Sequence, residues 1–210
     1  MTIPAPTDHK TADAGGPPSG RRKPGARRLQ ILQTLATMLE DPKGEKVTTA
    51  ALAARLGVSE AALYRHFASK AQMFEGLIEF IETTIFGLIN EIETKESSGI
   101  KQVGRMVRML LEFATTNRGM TRVLIGDALV NEHERLQERM NQLLERIESS
   151  LRQGFRVAVS QQEVPATLDA NAQAALTVAY VIGRWHRFAK SGFRKLPADG
   201  LEAQLPALLA

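Results

Sequence analysis

The side chains best suited to binding another molecule lie close together in residues 48–70. They combine hydroxyl groups, a guanidinium, an imidazole, an ammonium and small alanines: Thr48, Thr49, Ser59, Ala61, Ala62, Tyr64, Arg65, His66 and Lys70. Hydroxyl and ammonium groups bind phosphate oxygens, and the guanidinium of Arg65 can fork onto the O6 and N7 atoms of guanine. The methyls of Ala61 and Ala62 can pack on thymine methyls, or these alanines are plain helix formers.

A helix-turn-helix pattern positions these side chains. The first short helix is predicted by small and apolar residues at Ala50, Leu52, Ala53 and Leu56. The second is predicted over residues 60–67, where Leu63 and Phe67 share one face. Between them, Gly57 can adopt the left-handed conformation that ends a helix, and Ser59 can cap the next one. We therefore expect the chain to bind DNA.

Composition excludes several other classes of protein. The 210 residues, 43% of them hydrophobic, suffice for a sizeable core. Without cysteine, and with four histidines outside ligand spacing, we expect no disulfide, metal or cofactor. The sequence has no glycine-rich phosphate loop or nucleophile elbow, so we expect no enzyme. It also has no secretory signal and no apolar run of the roughly 20 residues that span a bilayer, so we expect a cytoplasmic protein without membrane contact.

Positive charge is concentrated near the N-terminus. Residues 1–70 have a net charge of +5, whereas residues 71–210 have −1. Residues 1–25 are rich in Pro, Gly, Ala and Thr, so we expect a disordered tail that ends in a basic cluster: Arg21, Arg22, Lys23, Arg27 and Arg28. The tail is either an arm on the DNA backbone or a non-specific solvated segment, and the sequence leaves both open.

Apolar residues at helical spacing continue through the rest of the chain. A first helix from Leu29 ends at a break over residues 41–44, and a long helix runs from residue 70 to about 93. Further helices are predicted over residues 100–116, 120–129, 131–159, 168–190 and 199–210, the last uncertain because of Pro206. We therefore predict an all-α protein with a DNA-binding domain at residues 26–70 and a larger helical dimerisation and partner-binding domain at 71–210.

The helix predicted over residues 168–190 is apolar around nearly all of its circumference. Such a helix lies either in a core or at an interface between subunits. Trp185, His186 and Arg187 could instead line a ligand pocket. Their place in a nearly continuous apolar helix favours packing over ligand binding.

This arrangement resembles the TetR family of regulators. The resemblance is carried by Thr48-Thr49, Leu52-Ala53 and the runs L-G-V-S at 56–59, L-Y-R-H-F at 63–67 and S-K at 69–70. The run F-I-E at 80–82 and residues 141–148 are similar to the nucleoid occlusion factors within that family. The resemblance covers most of residues 27–193.

The resemblance implies a homodimer on palindromic double-stranded DNA, with one or two dimers on each site. The second short helix would enter the major groove, with Thr48, Tyr64, His66 and Lys70 beside phosphates. Bound to DNA, the protein would inhibit assembly of the tubulin-like division GTPase FtsZ over the nucleoid. The alternative is a ligand-responsive TetR-type transcriptional repressor, which shares the DNA-binding part and differs in the rest.

The resemblance also implies a binding surface for FtsZ, formed by Phe80, Leu88, Met109, Thr116 and Asn117. Phe80 and Asn117 match that surface, but Leu88 and Thr116 stand where arginine is expected, which weakens its electrostatic part. An aromatic residue in a helical stripe is usually part of the core, and this is the competing interpretation of Phe80.

Overall fold

The computed structural model describes residues 25–41 and 47–210, and all regular secondary structure in these two ranges is helical. The predicted tail, apart from Gly25, and residues 42–44 of the predicted break lie outside the described residues. In chain order the α-helices are α1 Ala26–Met38, α2 Thr49–Leu56, α3 Glu60–Tyr64, α4 Lys70–Lys95, α5 Gly99–Thr116, α6 Arg118–Leu124, α7 Glu134–Ser160, α8 Ala170–Lys190 and α9 Leu201–Leu209. We call α1–α3 the head and α4–α9 the body.

The turn of the head forms as predicted. Gly57 ends α2 in the left-handed conformation, at φ 64° and ψ 38°. Ser59 caps α3, its side-chain oxygen accepting a hydrogen bond from the N–H of Ala62 at 3.3 Å. The predicted end of α3 at residue 67 is wrong, because the helix closes at Tyr64 in a tight turn. Phe67 is nevertheless buried, since this turn still directs its ring into the core beside Leu63.

The long helices of the body alternate in direction. α4 leads away from the head. α7 runs parallel to α4, and two ion pairs join these helices, Glu75 with Arg135 and Glu82 with Arg139, each at 2.6 Å. At the far end, the N–H of Gly99 donates to Gln161 at 3.0 Å, which fastens the start of α5 to the end of α7. α5 and α8 therefore return towards the head.

The head sits directly on the body. A Cβ atom on Gly119 of α6 would lie 1.9 Å from the carbonyl oxygen of Ala36 in α1, so only glycine permits this approach. Beside it, the guanidinium of Arg122 donates to the carbonyls of Leu39 and Asp41 at 3.3 and 3.2 Å. The buried apolar residues of head and body form one continuous core.

Several predicted helix boundaries in the body are wrong, and three of them have a clear local cause. The helix expected over residues 120–129 is split, because Gly126 at φ 76° separates α6 from a 3-10 helix, Asp127–Leu129. α7 starts at Glu134 rather than 131, since Asn131 is left-handed at φ 63° and His133 provides the cap. α8 starts two residues later than predicted, because Asp169 caps it there. The carboxylate of Asp169 accepts hydrogen bonds from the N–H groups of Asn171 and Ala172.

Helix α8 is buried on one side only. Trp185 is fully buried and its Nε1–H donates to the carbonyl of Leu110 at 3.0 Å, so core packing is confirmed for this residue. His186 and Arg187 are exposed. The opposite side carries small and apolar residues that are also exposed, which we call the α8 stripe: Ala172, Ala175, Leu176, Ala179 and Gly183.

Candidate nucleic-acid interface

The predicted base-contacting residues lie on or beside α3. Ser59, Ala61 and Arg65 are exposed and Ala62 is half-buried, and we call these four the base-contact face. Leu63, on the opposite side of the helix, is buried in the core. α3 is therefore held from behind, and its outer surface is left to solvent.

Two threonines at the start of α2 already make hydrogen bonds. The Oγ1 of Thr48 accepts from the N–H of Ala51 at 3.1 Å, which makes Thr48 the helix cap. Capping uses only the oxygen of this hydroxyl as an acceptor. Because a hydroxyl can accept and donate at the same time, its proton remains available for a hydrogen bond to another group. The Oγ1 of Thr49 donates to Glu60 at 2.6 Å and so ties α2 to α3.

Glu60 was not singled out in the sequence, although its type and position carry a signal. It lies in the first turn of α3, where a carboxylate is favoured by the partial positive charge of the helix N-terminus. Its bond with Thr49 spans 11 positions, a separation at which no local pattern of residues predicts a pairing. The bond fixes the relative placement of the two helices that would contact DNA.

Arg28 is used inside the head. Its guanidinium donates to the carbonyl of His66 at 2.9 Å and lies 4.2 Å from the ring centre of Phe67. Both contacts hold the turn that follows α3. The side chains of Tyr64, the last residue of α3, and of His66 in that turn are exposed beside the base-contact face.

Lys70 is placed differently from the other predicted phosphate contacts. Its ammonium is 2.5 Å from the carboxylate of Glu132 and 5.6 Å from the ring centre of Phe74. Its charge is thus paired with the body at the start of α4. Removing it would also leave Glu132, whose side chain is only 11% exposed, without its partner.

The five residues expected to bind a protein partner lie along the antiparallel pair α4 and α5. Phe80 and Asn117 line a cavity of about 220 Å³ with Leu29, Leu32, Gln33, Leu77 and Met120. Leu88 and Met109 line a second cavity of about 350 Å³ farther from the head. Thr116 is exposed at the end of α5. We call this surface the α4/α5 groove.

The interpretation of Phe80 as a core residue is wrong. Its side chain is 41% exposed, and the buried positions beside it are Leu77 and Ile81. Leu88 is exposed as well, so the buried stripe of α4 instead passes through Ile85 and Ile89. The α4/α5 groove is therefore lined in part by exposed apolar side chains, a feature typical of protein-binding surfaces.

Charges at the far end of the α4/α5 groove were not predicted. Glu91, Lys95 and Arg105 line the second cavity together with Leu88. Lys95 is bonded to Glu91 one turn earlier, and Arg105 is 3.6 Å from Glu96. Cations are therefore present beside Leu88 although that residue itself carries none.

A charged cluster links the head to α8. Asp127 accepts from Arg122 at 2.8 Å and from Lys190 at 2.6 Å. Partial burial acts to raise the pKa of Asp127, but the bonds from Lys190 and Arg122 prevail and lower it below its ordinary value. Because Arg122 also holds the end of α1, the carboxylate stays ionised at a point where three elements meet.

The described ranges, residues 25–41 and 47–210, contain neither a helix that could span a membrane nor a cluster of side chains that could bind a metal. None of their helices is both long enough and apolar enough to cross a membrane. Nor do these ranges contain a group of three His, Asp or Glu side chains that could hold a metal ion.

Comparison with known proteins places the two parts of the chain. Residues 44–77 match the family described as bacterial regulatory proteins, tetR family. Residues 97–210 match the SlmA-like C-terminal domain of tetracyclin repressor-like proteins. In overall fold the chain is similar to FadR from Bacillus subtilis in complex with stearoyl-CoA, with a TM-score of 0.71 at 12% identity, covering 87% of this chain and 97% of that one.

A second structure of similar fold is AibR in complex with isovaleryl coenzyme A and operator DNA, with a TM-score of 0.69 at 18% identity, covering 87% of this chain and 98% of that one.

Two relatives are much closer in sequence. The nucleoid occlusion factor SlmA of Idiomarina loihiensis is 48% identical, over 85% of this chain and 91% of its own length. That of Vibrio cholerae is 49% identical, over 84% and 90%. The chain therefore belongs to the SlmA family of nucleoid occlusion factors, a branch of the TetR family.

Proposed function

We propose that this protein is a sequence-specific DNA-binding nucleoid occlusion factor that inhibits FtsZ ring assembly over the chromosome. It acts in the cytoplasm on the nucleoid and catalyses no reaction. The observation that carries the proposal is a capped helix-turn-helix with an exposed α3 face, seated on a body that matches the SlmA-like domain.

On DNA, α3 enters the major groove. Arg65 forks onto guanine, and the small side chains of Ser59, Ala61 and Ala62 let the helix backbone approach the bases closely. The hydroxyls of Thr48 and Tyr64 donate to phosphates, and His66 lies beside the backbone of the duplex. Lys70 adds its positive charge at the start of α4, where Glu132 offsets part of it.

A homodimer presents two heads to the two halves of a palindrome. We infer that two copies pack through the α8 stripe, because a row of exposed small residues allows close approach between helices. Apart from the neighbouring backbone of α8 itself, no atom of the described residues lies within 4 Å of a Cβ built on Gly183, which leaves this face open to a second copy. Two-fold symmetry in the protein then matches two-fold symmetry in the site.

The α4/α5 groove binds FtsZ. Exposed Phe80 and the apolar residues around it favour an apolar segment of the partner as the main contact. Leu88 and Thr116 contribute no charge, so the electrostatic part of the contact comes from Lys95 and Arg105 at the far end. The contact set is thus shifted along the groove relative to the one that the family resemblance implies.

A map of chromosomal occupancy tests the proposal against the ligand-responsive repressor. A nucleoid occlusion factor should occupy many palindromic sites scattered over the chromosome, and small metabolites should not release it. Occupancy of a few promoters, with release by a small molecule, would instead identify a repressor and overturn the proposal.

A further inference from the structure

One end of the body, at the base of α8, faces the same side of the molecule as the head. Lys190, the last residue of α8, bonds to Asp127, which bonds to Arg122, which in turn holds the end of α1. The loop that follows α8 lies there too, since Arg118 at the start of α6 is 6.0 Å from the ring centre of Phe193.

Positive charge is concentrated at this end. Residues 184–195 contain five cations and no acid, although residues 71–210 as a whole have a net charge of −1. We call the exposed cations of this region the basic end patch: Arg118, Arg187, Lys190, Arg194 and Lys195. Arg187 and Lys195 line a cleft of about 390 Å³ between α8 and α9, together with Leu196 and Asp199.

The charges of the basic end patch are not all used within the chain. Arg184, which lies deeper in the cleft, donates to the carbonyls of Leu196, Pro197 and Asp199 and so shapes the loop. Lys190 is paired with Asp127. Arg187 and Lys195, by contrast, make no side-chain ion pair with any described residue, and both are exposed.

Dimerisation would bring two such patches together. Arg187 follows Gly183 by one helical turn, so it continues the α8 stripe towards the head side. In a dimer formed through that stripe, the two copies of Arg187 approach the symmetry axis. Like charges gathered at one place repel each other unless an anion lies between or beside them.

We propose that the basic end patch binds the phosphate backbone of the duplex segment between the two half-sites. This inference rests on the proposed DNA-binding dimer and assigns it a second, sequence-independent contact made by the body. A duplex fits better than a protein partner, because the patch lies on the head side and its five cations outnumber the one exposed large apolar side chain of the cleft, Leu196, and its one acid, Asp199. The contact would add affinity for any sequence and hold the body close to the DNA.

The test is the salt dependence of DNA binding by the full chain with Arg187→Gln and Lys195→Gln combined. The matched control combines Lys101→Gln and Arg156→Gln, which remove two exposed charges at the opposite end of the body. For the dimer, the slope of log affinity against log salt should become shallower by about two to four in the patch variant, since each phosphate contact contributes about 0.9. The control should keep the wild-type slope.

Hydroxyl-radical footprinting on a selected palindrome gives a second readout. We expect protection between the half-sites to weaken in the patch variant while base preference stays unchanged. Equal slopes in patch variant and control, or an unchanged footprint, would overturn the inference. An unchanged slope with reduced binding to anionic lipid vesicles would assign the patch to lipid and also overturn it.

This test separates the inference from the proposed function. If wild-type protein prefers no palindrome, the proposed function fails. The slope measured on non-specific duplex still decides whether the patch contacts phosphate.

Discussion

Several polar side chains near the base-contact face already have partners inside the chain. Arg28 holds the turn after α3, Thr49 is bonded to Glu60, and Lys70 is paired with Glu132. Arg65 is different, because it is exposed and makes no side-chain hydrogen bond with any described residue. A guanidinium left to solvent at the end of α3 is therefore the side chain best placed to distinguish one base pair from another.

Arg65→Ala should relax base preference and cost about 1–3 kcal/mol of binding free energy on the preferred site, because the forked contact to guanine is lost. Competition binding against a series of single-base substitutions measures both effects. Arg65→Lys is the matched control, since it keeps the charge but cannot fork. The Arg65→Lys variant should retain the salt dependence of DNA binding and still lose the base preference. An alanine variant with unchanged base preference would show that another face of the head contacts the bases.

At the scale of the elements, features that depend on a few neighbouring residues could be predicted from the sequence. Features that depend on contacts between helices could not. The turn at Gly57 and the cap at Ser59 follow from residue type and position, so both were predicted correctly. The break at Gly126 and the late start of α7 involve turns inside an apolar pattern, which periodicity alone does not resolve. The exposure of Phe80 depends on which face of α4 the other helices cover, and no local pattern contains that information.

The contact between α1 and α6 should tolerate no side chain at Gly119. Gly119→Ala would place a methyl against the carbonyl of Ala36, so we expect a loss of at least about 1–3 kcal/mol in the free energy of unfolding. Gly87→Ala is the control, because a Cβ there meets nothing within 4 Å and glycine in a helix interior is unfavourable by about 0.5–1 kcal/mol. Chemical denaturation should therefore show one variant destabilised and the other slightly stabilised. Equal stability of the two would contradict the close packing of head on body.

The start of α5 is capped from the loop after α7, and this cap should depend on pH. Bonds from Ser98 and from the N–H of Ile100 lower the pKa of Glu163 below its ordinary value. A carboxyl group whose pKa is lowered by folding stabilises the fold above its unfolded pKa, and this stability is lost as the pH falls through the folded pKa. Glu163→Gln should thus lower the melting temperature at pH 7, and the difference from wild type should vanish in acid.

Glu145→Gln, at an exposed position on α7, is the matched control for this pH dependence. It should leave the melting temperature close to that of the wild type across the same pH range. A Glu163→Gln variant that differs equally from wild type at neutral and acidic pH would contradict the role of the charged cap.

At the scale of the whole molecule, the three surfaces that we propose for dimerisation, partner binding and backbone contact lie on separate parts of the body. The α8 stripe and the α4/α5 groove lie on different helices, and the basic end patch lies at the head side. Residues 97–210 match the SlmA-like domain, and the cavity that contains Phe80 also includes Leu29 and Leu32 from the head. A partner bound in the groove would therefore touch both head and body, which gives DNA binding a direct route to influence it.

Ala179→Glu should prevent dimerisation, because it places a charge in the middle of the α8 stripe. Analytical ultracentrifugation should find monomers, and affinity for a palindrome should fall towards that for a single half-site. Asn90→Glu, at an exposed position on α4, should remain dimeric. A dimeric Ala179→Glu protein would place the interface elsewhere.

The most direct test of the account is co-sedimentation of the protein with FtsZ from the same organism, with and without a palindromic DNA site selected by this protein. We predict binding that the DNA site strengthens, together with loss of ordered FtsZ polymer. Phe80→Ala should abolish both effects, whereas Leu196→Ala, which removes a similarly exposed apolar side chain away from the groove, should preserve them. Absence of interaction under either condition, or a Phe80→Ala variant that behaves as the wild type does, would contradict the account.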